Sequence, residues 1–289
     1  MNRVAGKVVV ITGAARGLGR SHAVRLAEEG ADIIALDVCA DSANAEYAGA
    51  TPADLTETVR LVEKAGRRAV ARTADVRDRA ALEQAVSEGV AELGGRLDVV
   101  VANAGINPMG ADKPVSAFTE TVDVNLVGTL NTVHAALPHL GENASIVLMG
   151  SVAGLLPRYD GNPGAGPGPA AYAFSKHAIS EYANWLSVQL APSGKRVNVV
   201  HPTNIATDLL KNEAAYRTFR PDLESPTAAD VEMVFQMSHG MPIAYLEPND
   251  VSHAVVYLAS DESRYITGAQ LKIDAGMIGK IEAGFRMGG

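Results

Sequence analysis

A single cysteine, Cys39, stands among the 289 residues. One cysteine closes no internal disulfide, so an oxidising secretory compartment has no support, and Cys39 reads as a small apolar packing residue. Aromatic residues make up only 5% of the chain. The core must then be built from Val, Ile, Leu and Ala, a composition that suits the buried strands of a parallel sheet. The net charge is -8 and no basic block occurs. Nucleic-acid binding needs a basic stripe with stacking aromatics and is set aside. No apolar stretch approaches the ~18 residues of a membrane span. Met1–Lys7 leads straight into the strand-length run Val8–Ile11, which does not read as a signal peptide, and the cytoplasm is the expected compartment. No metal is expected.

What is present is an alternation. Strand candidates fall at Val8–Thr12, Asp32–Leu36, Ala69–Thr73, Asp98–Ala102, Ser145–Met149, Arg196–His201 and Gln270–Ile273. Helical spacing occupies Leu18–Glu29, Thr51–Ala65, Arg79–Leu93, Glu120–Leu137, Ala171–Leu190 and Pro248–Ala259. Strands alternating with helices imply right-handed crossovers and a parallel sheet. No repeat or linker splits the chain, so one domain over 1–289 is expected. Two segments break the rhythm. Pro157–Pro169 is rich in Gly and Pro and reads as a loop. The long stretch Asp208–Asn249 reads as a lid or binding loop, or as a small packed helical excursion.

The first strand runs into Thr12-Gly13-Ala14-Ala15-Arg16-Gly17-Leu18-Gly19, and a helix follows. Gly13 permits the tight turn, Gly17 lets backbone approach a pyrophosphate, and Gly19 lets the helix pack near the sheet. The helix N-terminus offers N–H groups to the phosphates. Asp37 ends the second strand, where a carboxylate accepts from adenosine ribose hydroxyls and repels a 2′-phosphate. Val38 follows it in place of a phosphate-gripping cation. NAD is therefore expected over NADP, with Arg16 the one residue that points the other way.

Tyr172 and Lys176 lie four apart on an expected helix, so they share a face. A nearby ammonium is expected to lower the tyrosine pKa toward a usable acid/base range. Ser151 follows a strand at its carboxyl end, where ligands bind in open α/β sheets, and can align a substrate oxygen with Tyr172. Asn103-Ala104-Gly105 closes another strand at the same edge. Asn103 either ties strands together or touches cofactor. Asn125 either holds a water near Lys176 or marks a structural kink.

Together these motifs resemble the short-chain dehydrogenase/reductase family. The match comprises Thr12-Gly13-x-x-x-Gly17-x-Gly19, Asp75-Val76, Asn103-Ala104-Gly105, Asn125, Ser151, Tyr172-x-x-x-Lys176, and His201-Pro202-Thr203 with Thr207. The resemblance implies a Rossmann-like doubly wound α/β fold with seven parallel strands in order 3-2-1-4-5-6-7. It implies a catalytic tetrad of Ser151, Tyr172, Lys176 and Asn125, with Lys176 also on the nicotinamide ribose. It implies adenine contacts from Asp75 and Val76, and carboxamide contacts from Ile205 and Thr207 beyond Pro202. A homotetramer is implied too. Pro202-Thr203 replaces the usual Pro-Gly, the Ser151–Tyr172 gap is widened, and an extra stretch, Cys39–Asp54, follows Asp37. These features resemble the mycofactocin-associated, carveol dehydrogenase-like subgroup, which implies tightly held NAD and mycofactocin as an electron partner.

The expected reaction is hydride transfer between a nicotinamide and a secondary alcohol or ketone. Met233, Phe235 and Met237, with Pro108, Met109, Leu155 and Leu156, suggest an apolar pocket suited to an alicyclic or terpenoid alcohol. The apolar stretch Met277–Ile281 is a candidate for reaching a neighbouring subunit. A non-catalytic dinucleotide-binding regulator has no use for the Ser/Tyr/Lys set. A nucleotide-sugar epimerase is disfavoured by the Gly13/Gly17/Gly19 spacing.

Overall fold

Apolar runs without a polar face are stable only at the centre of a sheet covered on both sides. The computed structural model describes residues 2–156 and 165–287 and forms seven strands, the inner ones from such runs and the two edge strands only partly buried. They are β1 (Val8–Thr12), β2 (Asp32–Asp37), β3 (Ala69–Thr73), β4 (Leu97–Ala102), β5 (Leu140–Met149), β6 (Arg196–Pro202) and β7 (Gln270–Ile273). All pairings are parallel and the order is β3-β2-β1-β4-β5-β6-β7. The expected doubly wound sheet is thus realised.

Side-chain alternation divides the strands between two apolar layers. Val9, Ile11, Ile33, Val101 and Val147 face helices α1 (Gly17–Glu28) and α9 (Pro248–Ala259). Val10, Ile34, Leu36, Val100 and Ile146 face α3 (Arg79–Leu93), α5 (Gly128–Ala136) and α6 (Pro167–Leu190). Between α1 and α9, His22 is fully buried and its Nδ1 lies 2.8 Å from Ser252 Oγ. The helix α2 (Pro52–Lys64) begins with a capping box of Thr51 and Asp54 and a proline in its first turn.

Three expectations are revised. The helix expected over Glu120–Leu137 is α4 (Ser116–Val122), a π-helical turn over Asp123–Val127, and α5. The turn buries Asn125, whose amide bonds both main-chain groups of Ile106. Such a wide turn accommodates one extra residue and often marks a functional position. The loop expected over Pro157–Pro169 ends earlier, because Pro167 starts α6, where its missing N–H costs nothing. Residues 157–164 lie outside the described residues.

The third revision concerns the insertion after β6. It holds α7 (Glu213–Phe219) and α8 (Ala228–Ser238) around a small core of Met109, Leu210, Ala215, Val231 and Phe235. Phe235 meets Phe219 and Tyr245 edge-on, at 4.6 and 5.3 Å between ring centres. Met233 and Met237 point outward and are 61% and 71% exposed, so they do not form the inner face of a lid. The C-terminal helix α10 (Met277–Met287) follows β7. Its Lys280 donates to the carbonyls of Met237 and His239 at the end of α8, at 2.6 and 2.8 Å. Among the described residues, no helix is long and apolar enough to cross a membrane.

Candidate active site

The strand order reverses between β1 and β4, and at the carboxyl ends of these strands the loops part to leave a cleft. The turn after β1 forms its floor. Gly13 and Gly17 adopt positive φ of 66° and 54°. A Cβ on Gly19 would lie 1.9 Å from the Gly13 carbonyl oxygen, so only glycine lets α1 start there. No side chain caps α1, so its first N–H groups are left for an anion. This donor set fits the pyrophosphate of a dinucleotide. Leu18 lies beside it in the same cleft.

Asp37 ends β2 at the cleft with only 8% exposure. One carboxylate oxygen accepts from the Ala15 N–H and the other from the Cys39 N–H, both at 3.0 Å. Cys39 itself is partly buried against the core, as a packing residue should be. Asp75 and Val76 line the cleft beyond β3. Burial pushes the Asp75 carboxyl up, but Arg77, which donates from its main chain and its guanidinium, holds it below the usual range. Asn103, Ala104 and Gly105 line the β4 side. Asn103 Nδ2 donates to the carbonyls of Thr12 and Gly13 at 3.0 and 3.2 Å, so this residue ties β4 to the glycine turn.

Next to the cleft opens a cavity of about 630 Å³. Ser151, Tyr172 and Lys176 line it, as do Pro202, Ile205 and Thr207. Ser151 follows β5. Its Oγ accepts from the Ala153 N–H at 3.2 Å and shares a hydrogen bond with Tyr172. Lys176 Nζ lies 5.5 Å from the Tyr172 ring centre and donates to the Met149 carbonyl at 2.7 Å. Much of the remaining wall is apolar, with Met109, Leu156, Pro169, Leu210, Phe219 and Ile281, while Asn107, Thr203, Asn204 and Thr218 add polar groups. Of the residues expected to make the pocket apolar, Met109 and Leu156 line it, whereas Pro108, Leu155, Met233, Phe235 and Met237 do not.

The electrostatics depart from expectation at the tyrosine. Burial pushes the Tyr172 phenol above its ordinary value, and the hydrogen bond with Ser151 offsets only part of that. Burial also brings the Lys176 ammonium down to about 8. The phenol therefore rests protonated. Asn125 contributes through architecture, since its amide is taken up by Ile106 rather than pointing at Lys176.

Two residues, Tyr47 and Asn107, were not named from the sequence, and a third, His201, was named only as a strand end and within the His201-Pro202-Thr203 match. Tyr47, from the extra stretch after β2, lines the cleft, and its hydroxyl accepts from the Asn107 N–H at 3.1 Å. Burial pushes its phenol up to about 12. Asn107 lines the cavity, with a buried side-chain oxygen that makes no hydrogen bond among the described residues. His201 touches the main chain of Ser151. For Tyr47 the only signal was the extra length before Asp54.

That extra stretch is fastened across the cleft. Glu46 pairs with Lys113 at 3.1 Å and with Arg217 of α7 at 2.6 Å. Asn44 donates to Glu120 at 2.6 Å. Arg16 donates to the Ala48 carbonyl, pairs with Asp208 at 3.2 Å and stacks over the Tyr47 ring. Arg16 is thus engaged with protein groups.

Comparison with known proteins agrees with this geometry. The family described as enoyl-(acyl carrier protein) reductase matches residues 13–278. The chain is 50% identical to a putative short-chain type dehydrogenase/reductase of Mycolicibacterium smegmatis, over 95% of this chain and 98% of that one. It is 43% identical to (-)-trans-carveol dehydrogenase of Rhodococcus erythropolis, over 96% and 99% of the two chains. The crystal structure of carveol dehydrogenase from Mycobacterium avium in complex with NAD superposes with a TM-score of 0.89, at 45% identity over 96% of this chain and 99% of that one. A glycine turn at the point of strand reversal, with Ser151, Tyr172 and Lys176 grouped beside it, places the chain in the short-chain dehydrogenase/reductase family.

Proposed function

We propose that this protein is an NAD-dependent oxidoreductase that interconverts a secondary alcohol, alicyclic or terpenoid-like, and its ketone. The observation that carries the reading is the grouping of Ser151, Tyr172 and Lys176 in one largely apolar cavity, beside a cleft built for a dinucleotide. When bound, NAD supplies the carbon that takes up the hydride and a positive charge beside the phenol. Ser151 donates to the substrate oxygen and fixes its position. Lys176 and the positive charge of bound NAD would favour loss of the Tyr172 proton to solvent; the phenolate then takes the alcohol proton in oxidation, and the phenol gives its proton to the ketone oxygen in reduction. Lys176 steadies the phenolate and holds the ribose side of the site. Asn125, the fourth residue of the tetrad, shapes the turn at Ile106, which would flank the bound cofactor. Asp37 accepts from the ribose hydroxyls, Asp75 and Val76 receive the adenine, and Ile205 and Thr207 receive the carboxamide.

The same reading includes slow cofactor exchange. The strap from Cys39 to Asp54 lies over the cleft and is pinned through Glu46, Arg16 and Tyr47. A nucleotide held there needs a second redox partner, and mycofactocin is the one proposed. Assembly as a homotetramer in the cytoplasm completes the picture, with Phe174, Trp185 and Val188 of α6 as exposed apolar groups available for a subunit contact.

A panel of secondary alcohols tests the substrate class. Cyclic terpenoid alcohols should turn over with kcat/KM at least about tenfold above that of propan-2-ol, because added apolar contact in the pocket is worth ~1–3 kcal/mol. Equal rates across the panel would contradict it.

A further inference from the structure

The catalytic serine is held by its main chain as well as its side chain. His201, in β6, lies beside it with less than 1% exposure. Its Nδ1 is 3.2 Å from the Ser151 nitrogen and 3.0 Å from the Ser151 carbonyl oxygen. Room for the ring comes from Gly150, where a Cβ would sit 2.5 Å from both Cε1 and Nδ1 of His201. On the other side of the ring, Nε2 is 2.6 Å from Gln270 Oε1 on β7. Gln270 Nε2 in turn donates to the Ser180 carbonyl at 3.3 Å and to Asn184 Oδ1 at 3.0 Å, both on α6.

These contacts assign the proton. A carbonyl only accepts, so the Gln270 atom facing Ser180 is the amide nitrogen. Gln270 Oε1 then faces His201, and His201 Nε2 must carry the hydrogen. In a neutral ring the other nitrogen is left with a lone pair. That lone pair can accept the Ser151 N–H and cannot donate to the Ser151 carbonyl.

We propose that His201 is a positioning residue for Ser151: a neutral imidazole, oriented by Gln270, that accepts the Ser151 N–H and so sets the angle at which the serine hydroxyl meets Tyr172 and the substrate oxygen. The proposal rests on the reading of Ser151 as the working hydroxyl of a dehydrogenase. Its reach is wider than one bond. Ser180 and Asn184 belong to the helix that carries Tyr172 and Lys176, so the imidazole registers both halves of the catalytic group against each other. Burial favours the neutral ring, while the Gln270 and Ser151 contacts oppose that and the Lys176 and Lys272 charges reinforce it. Protonation would turn Nδ1 into a donor, which the Ser151 carbonyl accepts and the N–H cannot.

The test compares kcat and KM against pH for the wild type, His201→Phe, His201→Asn and Gln270→Glu, with Ser151→Ala as reference. His201→Phe should lower kcat about tenfold with KM near wild type, as a small misplacement of a reacting group does. His201→Asn, which returns an acceptor close to the place of Nδ1, should recover most of that loss. Gln270→Glu sets a carboxylate against Nε2, favours the charged ring, and should move the acid-side fall in kcat upward by about one pH unit. Gln270→Glu also removes the amide donor to Ser180 and Asn184, so the shift is read at a temperature below its measured melt, and it decides the matter should His201→Phe not fold. Wild-type kcat in folded His201→Phe, no recovery in His201→Asn, or an unmoved profile in Gln270→Glu would each overturn the proposal. Wild-type turnover in Ser151→Ala would instead remove the dehydrogenase reading beneath it.

Discussion

Asp37 shows how much one side chain decides. It is nearly buried, yet both of its oxygens keep lone pairs beyond the N–H groups of Ala15 and Cys39. Those lone pairs suit ribose hydroxyls, and the charge repels a 2′-phosphate. Arg16, the residue that argued for NADP in the sequence, is drawn instead to Asp208, Ala48 and Tyr47. Asp37→Ala should lower the ratio of NAD to NADP affinity by about tenfold or more, since hydrogen bonds to a charged group are worth ~1.5–3 kcal/mol. Equilibrium titration with both nucleotides measures it; an unchanged ratio would take Asp37 out of the adenosine pocket. Tyr172 carries a different lesson. Spacing identified the pair with Lys176 but gave the wrong direction for the phenol, because sequence does not show how deeply Tyr172 is buried, and burial outweighs its hydrogen bond with Ser151.

Among the elements, the pairing of α1 with α9 makes a prediction about pH. His22 is wholly buried between them, and burial brings its pKa down from 6.5 to about 3. The folded protein therefore refuses a proton that the unfolded chain takes up near pH 6.5. The sign follows: stability is full above pH 6.5 and is lost as pH falls below it, down toward 3. The melting temperature should fall between pH 7 and pH 5, above the range where most carboxylates titrate. His22→Asn, which does not titrate and retains a partner for Ser252, should flatten that slope. An identical slope in both proteins would assign the loss to other groups. Helix ends and turns were the least legible elements. The π turn at Asn125 depends on a partner, Ile106, that is distant in sequence. Met233 and Met237 looked like pocket residues because an apolar side chain on a short helix does not announce which face is covered.

In the molecule as a whole, the sheet was the most legible part. Its inner strands are apolar on both faces, so their runs stand out against the helices, and the family motifs supply the order of all seven. The grouping of Ser151, Tyr172 and Lys176 at one cavity was equally legible, because the three sit at fixed places on that frame. The strap was visible only as surplus length, since its anchors Lys113, Glu120 and Arg217 come from three separate segments. If those anchors retain the nucleotide, purified protein should release about one NAD or NADH per chain when denatured, identified by mass and absorbance. Glu46→Ala, which removes both of its ion pairs, should speed release of that nucleotide. Isolated protein free of nucleotide would mark the cofactor as freely exchangeable.

The central claim is proton transfer by Tyr172 during oxidation of a secondary alcohol. One measurement reaches it directly: a single turnover with a cyclic terpenoid alcohol, in which reduced nicotinamide and ketone are both quantified, for the wild type and for Tyr172→Phe. The account predicts equal amounts of both products in the wild type, and a loss of nearly all turnover in Tyr172→Phe with the nucleotide still bound. Comparable ketone formation by the two proteins would contradict it.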